Sequence, residues 1–301
     1  MKRKYYLLPI IFLLIAGCSK ELIPEINLSL SSGVITSDYL AGSKTLTFTT
    51  NTKWSVSVID IKGSSWVTVS PMNGEKGNIT LTFKALINSE NLERESSVTI
   101  NAGTATKSFR IIQDAAPATI SIDKKEQNVE VQSGNFSIAV TTNSAPWSSS
   151  GVPTWVILSP SSSSSSGSVS IAYQENKLAL SREANIVFTA GSASQTLKVT
   201  QTKAAPTISV DKSEVIHDAL SGSVNLSVET NSAPWSTSGV PSWITLTLAS
   251  GNSSASVKVD IQENKQNTAR EASIVFTAGT ATHTVKISQA RADGYIDGGN
   301  F

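Results

Sequence analysis

Asn143-Ser-Ala-Pro-Trp-Ser-Ser-Ser-Gly-Val-Pro-Thr-Trp155 and Asn231-Ser-Ala-Pro-Trp-Ser-Thr-Ser-Gly-Val-Pro-Ser-Trp243 are two copies of one phrase, each opening on asparagine and closing on a second tryptophan. Asn51-Thr-Lys-Trp54, followed by Ser64-Ser-Trp66, is a shorter third copy. Outward from the phrase the same step recurs: Arg94, Arg182 and Arg270 stand 88 residues apart, as do Gly103, Gly191 and Gly279, and Gln113, Gln201 and Gln289. A fixed period of this length marks a tandem array. The units are expected at 28–114, 118–202 and 206–290, following one another as beads on a fairly stiff string. Ala115-Ala-Pro117 and Ala204-Ala-Pro206 form the joints, where proline and small residues carry little apolar content.

Within each unit apolar residues alternate with polar ones, as in Phe136-Ser-Ile138-Ala-Val140 and Val224-Asn-Leu226-Ser-Val228. A period of two is the signature of half-buried strands. Ala184, Ile186, Phe188 and Ala190 line one face of a late strand, and Ala272, Ile274, Phe276 and Ala278 repeat them. A glycine follows at Gly103, Gly191 and Gly279, which suits a glycine-first type II′ hairpin into a returning strand. In the second unit the runs near 119–122, 128–132, 136–142, 154–158, 168–173, 183–190 and 195–201 give about seven strands and no helical pattern. The expected fold is all-β: three tandem immunoglobulin-like β-sandwiches.

The N-terminus differs in kind. Lys2, Arg3 and Lys4 precede the apolar run 5–16, too short to span a membrane but suited to a secretory signal. Leu14-Ile-Ala-Gly-Cys18 resembles the lipobox of bacterial lipoproteins, in which cleavage leaves the cysteine first and its thiol takes up lipid. Residues 1–17 are therefore expected to be a lipoprotein signal peptide, Cys18 the lipidated residue and 18–27 a tether. Cys18 is the one cysteine in the chain, so no disulfide is available and each sandwich must be held by its apolar core or its neighbours. Ser19-Lys-Glu21 faintly resembles the surface-export signals of Bacteroidetes lipoproteins. The expected location is the outer membrane, facing the surface, with the periplasmic face left open.

Charge narrows the partners. Lys and Arg number 24 against 23 Asp and Glu, with no basic cluster, which argues against nucleic acid. His217 and His283 are the two histidines, and neither recurs in the other units, leaving little for a triad or a metal site. Glu95, Glu183 and Glu271 recur beside arginine at a strand start and read as edge charges or local ion pairs rather than paired catalytic carboxylates. No catalytic residue, metal or cofactor is expected. The tail 291–301 has too few acids at the wrong spacing for a calcium loop and reads as a flexible end.

The paired tryptophans, the Glu175-Asn…Arg182-Glu-Ala…Phe188-Thr-Ala-Gly191 segment, its copy at 263–279 and the closing Val-x-Gln resemble BACON domains. The first unit departs from the pattern, with a shortened tryptophan loop and Glu95-Ser96 in place of Glu-Ala. The resemblance implies a β-sandwich module of Bacteroidetes surface proteins that binds carbohydrate or mucin. A non-catalytic cell-envelope lipoprotein binding polysaccharide or mucin glycans is the expectation, membrane-attached through its lipid. The alternative is a structural stalk, spacer or adhesin component acting through protein partners of a glycan-utilisation or adhesion complex. Tryptophan is the residue that could stack on a sugar ring. Trp147 and Trp235, ringed by hydroxyls, are the glycan-binding candidates, whereas Trp66, Trp155 and Trp243 read as core, Trp155 opening the apolar run Val156-Ile-Leu158.

Overall fold

The computed structural model describes residues 22–30, 32–63 and 65–292. Cys18 and the residues from 293 on lie outside them. Each repeat holds nine strands in two sheets, and no described residue is helical.

In the second repeat, strands Ile120–Ile122, Gly134–Thr142, Gly167–Tyr173 and Val156–Ser159 form an antiparallel sheet in that order. The facing sheet runs Glu126–Val129, Ala193–Gln201, Arg182–Ala190, Trp147–Ser150 and Ser162–Ser163. Its edge pair, Glu126–Val129 with Ala193–Gln201, is parallel. Alternation decides which side chains meet: Ile138, Val140, Val169 and Ile171 from one sheet face Ile186, Phe188, Leu197 and Val199 from the other, all essentially inaccessible. Burying a residue of this size contributes about 1.5–3 kcal/mol, so the interleaved faces supply the main stabilising term. The other repeats build the same sheets from their own residues.

The late hairpin forms as its sequence requires. Arg182–Ala190 and Ala193–Gln201 pair over their whole length around Gly191-Ser192. Gly191 sits at φ +54°, and the following serine keeps negative φ, the type II′ pattern.

Two strands escape the sequence reading. Trp147–Ser150 and Ser162–Ser163 carry mostly serine and show no apolar alternation, yet both pair in the five-stranded sheet. The first strand, Ile26–Leu28, also begins inside the segment expected as a tether. Asn51 accounts for this: its Nδ2 donates to the Ile23 carbonyl at 2.8 Å and its Oδ1 accepts from Glu25 N–H at 3.1 Å, drawing that segment onto the sandwich.

The chain divides into two compact units, up to Ala116 and from Pro117 onward, the second of which holds both the second and the third sandwich. Ala179, on a loop of the second sandwich, is buried within the core cluster of the third. Its N–H donates to the Asn231 carbonyl at 2.7 Å, and Asn231 Nδ2 donates to the Lys177 carbonyl at 3.1 Å.

Candidate functional site

The repeated phrase is a structural clamp at its start. Asn143 Oδ1 accepts from Thr119 N–H at 2.9 Å while its Nδ2 donates to the Pro117 carbonyl at 2.9 Å. Asn231 does the same with Thr207 and Ala205. Each asparagine thereby fastens the entry of its sandwich. Ser144 and Ser232 turn the chain at φ +61° and +65°, and the next residue, Ala145 or Ala233, is fully buried.

Trp147 and Trp235 follow as the inward residues of their strands, each only 3% exposed. Their Nε1–H groups donate to the Ser165 and Ser253 carbonyls at 2.9 Å, and their rings lie 5.7 and 5.8 Å from Phe188 and Phe276. Trp54 is the first repeat's equivalent, donating to the Glu75 carbonyl at 3.0 Å and meeting Phe48 edge-on at 5.2 Å. The expectation that Trp147 and Trp235 present stacking faces to glycans is thus corrected. Of the hydroxyls around Trp147, those of Ser148 and Ser150 lie on the strand face opposite the inward indole, and Ser149, on the indole's side, donates to the Ser161 carbonyl at 2.8 Å.

The second tryptophans divide. Trp66 is 1% exposed, but Trp155 and Trp243 are only partly buried against their cores. Over each ring lies the arginine of the 88-residue series: Arg182 at 4.4 Å from the Trp155 centroid, Arg270 at 4.4 Å from Trp243, Arg94 at 4.9 Å from Trp66. That spacing is a cation–π contact. Arg182 is fixed from behind: Nε donates to Gln201 Oε1 at 2.8 Å, and Nη2 to the carbonyls of Gln174 and Glu175 at 2.7 and 3.0 Å. Gln201, wholly buried, spends its amide on the carbonyls of Glu130, Val131 and Gln174. Arg270 repeats the arrangement with Gln289 at 2.8 Å and the Gln262 carbonyl at 2.6 Å. Burial pulls both guanidinium groups below their ordinary value. Each guanidinium is thus held rigidly beside a partly buried indole.

Local sequence explains why the ring is open there and shut in the first repeat. Gly151 sits at φ +72°, where an added Cβ would come 2.5 Å from the Asn185 carbonyl, so the strand from Trp147 ends and the chain turns away before Trp155. In the first repeat the corresponding strand runs on from Trp54 to Lys62, paired along nearly all of Arg94–Ala102. Trp66 is buried there, and its Nε1 lacks a hydrogen-bond partner.

The acidic residues of the series stay close to their expected reading. Glu183 and Glu271 pair with Lys198 and Lys286 at 3.0 and 2.8 Å on the surface. Glu95 differs in being buried, held by Arg110 at 2.6 Å. Among the described residues no three His, Cys, Asp or Glu side chains gather in a metal-binding arrangement.

Residues 52–114, 145–202 and 233–290 match the model of BACON, described as "Putative binding domain, N-terminal", over more than half of the chain. The chain belongs to the BACON family. Three tandem copies account for the 88-residue period, and each match ends within a residue of the glutamine that anchors the arginine. No curated protein matches the chain. Among solved structures, a Bacteroides ovatus GH5 xyloglucanase in complex with a XXXG heptasaccharide aligns at 18% identity and TM-score 0.27, over 29% of this chain and 19% of that one. Titin domains I67–I69 align at 9% identity and TM-score 0.43, over 91% of this chain and 100% of that one.

Proposed function

We propose that this BACON protein is a non-catalytic cell-envelope lipoprotein whose second and third sandwiches bind carbohydrate, either polysaccharide or mucin glycan. The observation that carries the reading is the pair of Trp155–Arg182 and Trp243–Arg270 platforms, each a partly buried indole under a fixed guanidinium. Indole meets the C–H edge of a sugar, and guanidinium donates to its hydroxyl or carboxylate oxygens, so the two together suit a saccharide. One such contact is worth on the order of 1 kcal/mol, and two on one compact unit add by avidity on a polymer. Family membership supports the same direction, and a lipid on Cys18 at the outer membrane would hold the platforms at the cell surface.

A spacer or adhesin role is the second reading. It is favoured by the bracket of Lys177, Ala179 and Asn231, which locks two sandwiches into one unit as a stalk would need.

The test is retention on immobilised mucin and plant polysaccharides by the chain lacking residues 1–17, read with melting temperature on the same samples. Trp155→Ala and Trp243→Ala should each weaken retention, and the double variant more than either, with the fold kept. Undiminished retention in a folded double variant would move binding away from the platforms, and no retention by the unmutated chain would leave the spacer reading in its place.

A further inference from the structure

The first sandwich contains an opening between its sheets of about 240 Å³, walled by Ile35, Val67, Phe83, Ala85 and Ile111. It lies within the first compact unit and is separate from the tryptophan platforms of the other repeats. Strand register shows which residues create it. Ala85 pairs with Gly42, as Tyr173 pairs with Gly134 and Ile261 with Gly222. Ser37 pairs with Gln113, as Val129 does with Gln201 and His217 with Gln289. Lys44 opposes Phe83, as Phe136 opposes Ile171. The first repeat therefore has alanine, serine and lysine where the second has tyrosine, valine and phenylalanine.

Those larger residues fill the space. Tyr173 packs against Phe136 with ring centroids 6.4 Å apart, and its hydroxyl lies so close over Gly134 that an added Cβ would sit 2.5 Å from it. In the third repeat the His217 imidazole lies over Gly222 in the same way. Over Gly42 there is nothing within 4 Å. Ser37 lines the opening, and its hydroxyl is buried without a hydrogen-bond partner, turned away from the opening, an arrangement that costs free energy until the side chain rotates and something pairs with it.

We propose that this opening is a binding site for a small molecule of the phenol class, an aromatic ring bearing a hydroxyl group. The size fits, since a dry apolar cavity of roughly 150 Å³ already takes benzene. The chemistry fits as well: apolar walls take the ring, Ser37 Oγ pairs with its hydroxyl once the side chain rotates about χ1 into the opening, and the chain's own occupant in the second repeat is a phenol side chain.

The probe is p-cresol, the tyrosine side chain without its backbone, titrated against the chain lacking residues 1–17, which lie outside the described residues. Methyl resonances of Ile35, Val67 and Ile111 should shift saturably, and toluene should bind about fivefold more weakly for want of the hydroxyl. Ser37→Val should erase that preference. Ala85→Tyr, which installs the second repeat's own filling, should abolish binding while the melting temperature holds or rises. Non-saturable shifts in the wild-type chain, or undiminished binding by a folded Ala85→Tyr variant, would overturn the proposal.

Discussion

The first and second sandwiches share strand order, hairpin and core, yet they open to solvent at different places. In the first, a long strand from Trp54 to Lys62 seals Trp66, while small residues at Ser37 and Ala85 leave a cavity between the sheets. In the second, Gly151 ends the corresponding strand early and leaves Trp155 half-exposed under Arg182, while Tyr173 fills the other end. A repeat can thus keep one fold and move its accessible surface by changing where a strand stops and which inward position is small. The third sandwich sides with the second at the tryptophan.

The largest expected effect sharpens that contrast. Trp66→Ala, in a fully buried site, should cost about 3–5 kcal/mol in denaturant unfolding, as should Trp147→Ala. Trp155→Ala removes a half-buried ring and one cation–π contact, so roughly 1–2 kcal/mol is expected. Equal losses at Trp66 and Trp155 would break the comparison.

A middle-sized effect falls on the joint that sets the second and third sandwiches apart from the first. Asn231→Ala removes hydrogen bonds to Lys177, Ala205 and Thr207, and about 1–3 kcal/mol should be lost. Calorimetry should then resolve two transitions where the wild-type pair gives one; a single unchanged transition would mean that the bracket does not couple them.

The smallest effect separates the buried acid from its exposed counterparts. Glu95→Gln leaves Arg110 without its partner, at a cost of about 1 kcal/mol after allowing for the exposed arginine. Glu271, held below the ordinary carboxylate range by the hydrogen bond from Lys286, should matter only through pH. A depressed carboxylate stabilises above its unfolded value, and that contribution disappears as pH falls through the lower folded value. Glu271→Gln should therefore lower the melting temperature slightly at neutral pH and leave it unchanged in acid, below the folded value, which flattens the acid limb. A large loss at neutral pH would show that this pair carries structural weight.

The fold was legible because alternation and a glycine-led hairpin are local signals, and Ile186, Phe188 and Gly191 state them plainly. The site was misassigned because the same local cues mislead at strand ends. Ser148, Ser149 and Ser150 mark Trp147 as solvated, although the first and last of them occupy the strand face opposite the indole. The run Val156-Ile-Leu158 marks Trp155 as core, although Ile157 points outward and is 61% exposed. The arginine and glutamine of the 88-residue series were visible as spacing, but their joint hold on the indole depends on pairing between strands and on a carbonyl from a third segment. The cavity was hidden for the same reason, since Ser37, Lys44 and Ala85 come together only through register.

The most direct test of the account is a titration of the six indole Nε1–H resonances with a polysaccharide or mucin oligosaccharide that the chain retains. The resonances of Trp155 and Trp243 should shift together and saturate, while those of Trp54, Trp66, Trp147 and Trp235 hold still. Shifts confined to Trp147 and Trp235, or saturable binding that leaves Trp155 and Trp243 unmoved, would contradict it.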